Sequence, residues 1–447
     1  MRSRLRFPAA VSATCLAAAL GACEGSGSHV DGPRGASAFT NYMAIGTGLS
    51  MGVQSGGVMY ASQLEAWPAL LAHAAGAGSR FVVSDTLVNE VVQFRLPLLR
   101  TPGCQPPLAA PLNFAVDLAG ASITSVDSTC AGAMDTTTPP TSNLALAGAT
   151  AWAALNLTPK TVVNAIVPYS AGDRARYPLV LGSTQSQVTA MRVQTPPTFV
   201  SVELGLSEVL GAATSGLLVA ATSYTQSGAY TYVPAALFAP VFDAIADSVV
   251  LTRAKVVLLS VPKVSALYGL RPASEIWSDS AELAGFGVTV NQNCATSANF
   301  VFTPARIPVL AAQFAATGTQ QNLSCADVPG SADAVLTPAD ITTLDGVVNA
   351  MNAQIQQRAS TQGWAFADLT GVYPPTTPAR TPYKASDELT CAYPYGALVS
   401  LDGAFPRAQG QAAIAATVAA AIDATYSFNI TLGAPSQIAV TAAKLCP

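Results

Sequence analysis

Residues 42–57, YMAIGTGLSMGVQSGG, and residues 60–72, YASQLEAWPALLA, decide the fold. Asn41 to Gly46 reads as a short apolar strand that ends in glycine. Gly46, Gly48 and Gly52 suit a tight turn, where a side chain would restrict the backbone. A helical pattern follows. Ser62 with Glu65 three residues on is a capping box, and Pro68 suits a first helical turn. Strand, glycine turn and helix make the opening of a βα unit.

The same alternation recurs down the chain. Phe199 to Gly205 is a second strand ending in glycine, and Val233 to Val250 is apolar at helical spacing. Lys255 to Val261 reads as a buried strand. Thr337 caps a helix over Pro338 to Gln362, with Asp340 favouring its positive end. Leu344, Val348, Met351 and Ile355 share one face of it, and Gly363 stops it. Trp364 to Leu369 is the next strand, and Ala408 to Thr425 the last helix. Such a run predicts an α/β fold, a three-layer α/β/α sandwich. Right-handed crossovers would bring the strand C-termini to one edge.

The first 22 residues have a basic start and a short apolar stretch, and end in Leu20-Gly21-Ala22 before Cys23. The stretch is too short to span a membrane and reads as a signal segment. The site resembles a bacterial lipobox, which implies a lipid-bearing Cys23, export and attachment to the cell envelope. With Glu24 next, the resemblance implies the outer membrane where the cell has two. Residues 23–40 read as a flexible Gly/Ser-rich tether, and residues 41–447 as the domain. Without the three arginines of the signal, 18 basic residues stand against 25 acidic, net −7. No basic patch for nucleic acid is present.

Six further cysteines remain: Cys104, Cys130, Cys294, Cys325, Cys391 and Cys446. An even number in an exported chain suggests disulfides, of which the simplest set joins sequence neighbours. No CxxC occurs, and neither a metal nor another cofactor is expected. Residues 80–140 and 265–335 are rich in Pro, Gly, Ser and Thr. They read as disulfide-pinned insertions that form a lid or cleft wall.

Four blocks follow one another along the chain: Gly46-Thr47-Gly48-Leu49, residues 143–150 (NLALAGAT), Gly205-Leu206-Ser207-Glu208, and Leu401-Asp402-Gly403-Ala404-Phe405-Pro406. In this order they resemble the SGNH/GDSL hydrolases. The resemblance implies a flavodoxin-like sheet and an esterase or lipase site. It puts the nucleophile at position 48, oxyanion-hole donors at Gly148 and Ser207, the triad acid at Asp402 and the base at position 405. Here position 48 is glycine and position 405 phenylalanine. Acyl transfer needs a nucleophile activated by a base, so the resemblance implies a degenerate member. The two histidines, His29 and His73, both precede the later blocks.

Two escapes from inactivity are written in the residues. Gly48 to Gly52 fits G-x-S-x-G, the nucleophile elbow, with Ser50 at its centre, although a late histidine is missing. Glu203, Glu208 and Asp402 offer paired carboxylates of the kind that cleave glycosidic bonds. The expectation is an envelope protein, held to the membrane through Cys23, with an apolar cleft for an acyl or glycan ligand. An active esterase, lipase or carbohydrate deacetylase and a structural surface lipoprotein are the alternatives.

Overall fold

The structure, a computed structural model, describes residues 35–55, 57–58, 60–76, 94–96, 139–162, 171–193, 195–225, 230–373, 383–390 and 394–432. Four strands form a parallel sheet: β1 (Tyr42–Ile45), β2 (Phe199–Val202), β3 (Lys255–Leu259) and β4 (Ala365–Ala367). Ile45 pairs with Val202, Val202 with Leu258, and Leu259 with Ala367. On the far side of β1 a short segment runs parallel to it. Ala44 donates to Ser142 O, Leu144 to Ala44 O and Leu146 to Gly46 O. The chain therefore goes first to one side of β1 and then to the other. That reversal makes the C-terminal ends of β1 and β2 a topological switch point, where ligand sites of such sheets are found.

Alternation along each strand divides the core in two. Met43, Ile45, Val200, Val202, Val256 and Leu258 face one apolar cluster. There they meet helices α3 (Ala151–Asn156), α4 (Ser207–Ser215), α5 (Ala235–Val250) and α6 (Pro338–Gln362). Tyr42, Ala44, Phe199, Val257 and Leu259 face the other. That side is covered by α2 (Trp67–Ala74) and α7 (Ala408–Tyr426). Helices thus pack on both faces of a parallel sheet, as the βα pattern requires.

The longest helix follows its sequence signals closely. Thr337 and Asp340 form the reciprocal capping box, Pro338 sits in the first turn, and Gly363 closes the end at φ 65°. Ser62 does not cap a helix. It lies inside a short helix, Tyr60–Leu64, and α2 starts only at Trp67 with Pro68 in its first turn. The break at Glu65–Ala66 lets Trp67 turn inward, where it is fully buried. The ordered domain also begins earlier than residue 41. Phe39 is completely buried and stacks on Phe199 at 4.2 Å, so the end of the expected tether belongs to the core.

Residues 265–335 are more regular than their composition suggests. An antiparallel sheet (Leu270–Pro272, Phe300–Phe302, Val335–Leu336) and a parallel pair (Val288–Val290, Gln321–Leu323) pack with helix Thr303–Thr317 around a third apolar cluster. The disulfide Cys294–Cys325, expected as a neighbour pair, ties this region together. Closing a loop of 31 residues stabilises by about 3–4 kcal/mol in the chain-entropy model. Cys23, Cys104, Cys130, Cys391 and Cys446, and most of residues 80–140, lie outside the described residues.

Candidate functional site

Helix α1 (Gly48–Met51) leaves β1 through Gly46 and Thr47. The Thr47 hydroxyl caps it by accepting from Leu49 N–H at 3.3 Å. Three buried amide side chains fix this turn. Gln187 accepts from Gly46 N–H at 3.0 Å and donates to Gly46 O at 3.1 Å. Asn143 donates to Ser50 O at 2.8 Å. Gln411 donates to Leu49 O at 3.0 Å and accepts from Trp67 N–H at 2.9 Å. Each comes from a different part of the chain, and none carries a local sequence signal.

Positions 48 and 405, which the resemblance assigned to nucleophile and base, meet. A methyl group at Gly48 would lie 2.9 Å from Phe405 Cε1 and 3.0 Å from Cζ, with Val53 Cγ2 also at 2.9 Å. The Phe405 ring fills the place of a side chain at 48 and packs against both main apolar clusters. Neither residue can donate or accept a proton there.

Asp402 is buried two positions after Ser400. Its Oδ1 accepts from Ala404 N–H at 2.9 Å and Phe405 N–H at 2.7 Å, and Oδ2 from the Ser400 hydroxyl at 2.7 Å. These bonds hold the 402–405 turn, so the carboxylate fixes a loop. Ser207 opens α4 and is partly exposed. Gly148 lies in an exposed turn at φ 71°, just before the Thr150 cap of α3. Glu208 joins the two loops, because its Oε1 accepts from Ala151 N–H at 2.6 Å.

Glu203 is the hub of the hydrogen bonds at this switch point. It sits just past β2, rather than inside the strand, and is almost wholly buried. It accepts from Thr47 N–H at 2.9 Å and Ser50 N–H at 3.3 Å. The hydroxyls of Thr47 and Ser50 donate to it as well, both at 2.9 Å. An internal carboxyl thus occupies the donor end of α1. Burial pushes its pKa up to about 7, although every one of these donors pulls it down. Glu208 is raised to about 7 by burial too, and the nearby charge of Glu203 adds to the rise.

Both chemical escapes meet this geometry. Ser50 has no exposed surface, donates to Glu203 and accepts from Trp67 Nε1 at 3.1 Å. No substrate reaches it, and it is no exposed elbow nucleophile. Glu203, Glu208 and Asp402 are all buried. A glycosidase pair must face the sugar from both sides. His73 lies exposed in the last turn of α2. Among the described residues, no cluster of three or more His, Cys, Asp or Glu side chains is arranged to hold a metal.

No family model, curated protein or solved structure matches the chain.

Proposed function

We propose that the chain is a degenerate SGNH/GDSL-hydrolase-like protein that binds a ligand and does not cleave it. The contact of Gly48 with Phe405 carries this reading. Two positions far apart in sequence, picked out by family resemblance, meet in space, which supports the resemblance. The strand order supports it as well: segment 142–146, β1, β2, β3, β4 is the flavodoxin-like 2-1-3-4-5 order. Gly148 and Ser207 then stand at the oxyanion positions, with Asp402 as the retained acid. Phe405 in place of a base makes the cleft apolar and favours an acyl chain or the apolar face of a glycan.

In this reading residues 265–335 are an insertion beside the cleft. The protein is exported and held to the envelope membrane by lipid on Cys23. The test is chemical. p-Nitrophenyl acetate and butyrate should not turn over, and a fluorophosphonate should not label the protein. The double change Gly48→Ser with Phe405→His restores both groups, so esterase activity should appear. A well-folded double variant with none would overturn the reading, as would labelling of the unchanged protein.

A further inference from the structure

The chain enters the domain at the sheet edge opposite the switch point. Asn41 N–H donates to the Thr198 hydroxyl at 2.8 Å, and Thr198 N–H to Asn41 O at 2.9 Å. Lys255 N–H donates to Thr198 O at 3.1 Å. The N-terminal ends of β1, β2 and β3 therefore lie side by side. Gly35 belongs to the same edge. A methyl group there would meet the Phe428 ring at 2.5 Å, and the Lys255 ammonium stands 5.6 Å from the centre of that ring.

Two turns on this edge are apolar and basic at once. Asn41 Nδ2 donates to Pro196 O at 3.1 Å, which sets the turn after helix Gln187–Val193 beside β1. Helix α5 ends at Val250, and residues 251–254 lead directly into β3. Among the described residues, Leu251 and Val193 are the most exposed large apolar side chains, at 66 % and 64 %. Arg192, Arg253 and Lys255 beside them are exposed too. None of these three makes an ion pair among the described residues. An acidic chain, net −4, thus turns a basic and apolar face outward here.

We propose that this edge docks on a phospholipid bilayer that carries anionic lipid. Val193 and Leu251 enter the headgroup layer, and Arg192, Arg253 and Lys255 meet lipid phosphates. The docking rests on the reading of Cys23 as the lipid-bearing residue. Gly35 is the twelfth residue after Cys23, and twelve residues reach at most about 40 Å. A domain of this length is roughly 55 Å across, so the anchor keeps the entry edge, not the switch point, near the membrane. Each basic residue at an anionic surface favours contact about fivefold, and apolar tips add to it. A second copy seated here about a two-fold axis would set like charges against each other. Gly48 and Phe405, at the other end of the strands, then face away from the lipid.

Hydrogen exchange on vesicles tests the docking. Residues 23–447 carry a hexahistidine tag at the N-terminus and are held by nickel-chelating lipid, so the outcome does not depend on what the cell attaches to Cys23. Amides around Val193 and from Leu251 to Lys255 should exchange more slowly on phosphatidylcholine with phosphatidylglycerol than on phosphatidylcholine alone. Those of Ser207–Ser215 should not change. Arg192→Glu with Arg253→Glu, both at exposed positions, should remove the difference, since each change lowers the docked population about fivefold or more. No slowing at this edge, or slowing that survives the double change, overturns the docking. So does equal slowing in the concentrated chain without vesicles, which marks a second copy as the occupant. The intact mass of the chain purified from its own membrane tests the anchor separately: a chain without diacylglycerol refutes the reading of Cys23, whatever the exchange shows.

Discussion

The Phe405 ring lies against Gly48 so closely that a methyl group at 48 would come within 2.9 Å of it. The two positions are therefore energetically coupled. Gly48→Ala should destabilise by about 1–3 kcal/mol through overpacking. Phe405→Ala should cost about the same, because the ring is only partly buried. Together they should cost less than their sum, with a coupling of at least ~1 kcal/mol, since the methyl group enters the space left by the ring. Denaturant melts of the four proteins measure it. Simple additivity would mean that the contact does not exist in solution.

Three buried glutamates set an unusual pH dependence. Burial raises Glu203, Glu208 and Glu388 to about 7 each. A raised carboxyl holds its proton longer when folded than when unfolded. Their contribution to stability is full below the unfolded pKa and is lost as pH rises through about 7. The protein should therefore melt at higher temperature at pH 5 than at pH 8. Glu203→Gln keeps acceptor capacity and has nothing to ionise, so its melting point should fall less across that range. A wild-type melting point that rises from pH 5 to pH 8 would contradict the burial argument.

The fold was legible where local chemistry and burial agree. The Thr337–Asp340 box, Gly363 and the face of Leu344, Val348, Met351 and Ile355 placed α6 to the residue. Ser62 and Glu65 misled because a capping pattern can occur inside a helix, and the burial of Trp67 decided the real start. At the site, the resemblance assigned positions 48 and 405 to one pair of groups, and Gly48 and Phe405 do lie against each other. The role of Glu203 was not legible, since its donors, Thr47 and Ser50, lie on another strand's turn and only the parallel register brings them together. Gln187 and Gln411 were invisible for the same reason: an amide that bonds backbone across the fold leaves no spacing to read.

Cys294–Cys325 should matter for stability and little for the central sheet. Both sulfurs are fully buried within the third apolar cluster. The double change to alanine should destabilise by about 3–4 kcal/mol, as loop-closure entropy returns to the unfolded chain. The loss should centre on residues 265–335. Hydrogen exchange should quicken in Val288–Val290 and Gln321–Leu323 and stay slow in β2 and β3. Equal loss of protection in the central strands would mean that the two regions unfold as one.

The turn that carries Asp402 and Phe405 rests on that region through two glycines. Gly269 N–H donates to Gly403 O at 2.8 Å, and the Gly269 carbonyl accepts from Thr303 N–H at 2.9 Å. The Thr303 hydroxyl in turn donates to Glu388 at 2.6 Å. Gly403 adopts φ 68°, and a methyl group there would lie 2.5 Å from Gly269 Cα. Backbone cannot swing aside as a side chain does, so Gly403→Ala adds left-handed strain to a clash. At Gly269 a methyl group would meet Phe302 Cε2 at 2.9 Å and Gly403 Cα at 3.0 Å, contacts that ask less movement. Gly403→Ala should therefore cost roughly 1–2 kcal/mol more than Gly269→Ala. Denaturant midpoints of the two variants give the comparison. The reverse order would mean that the 402–405 turn yields more readily than its contacts imply.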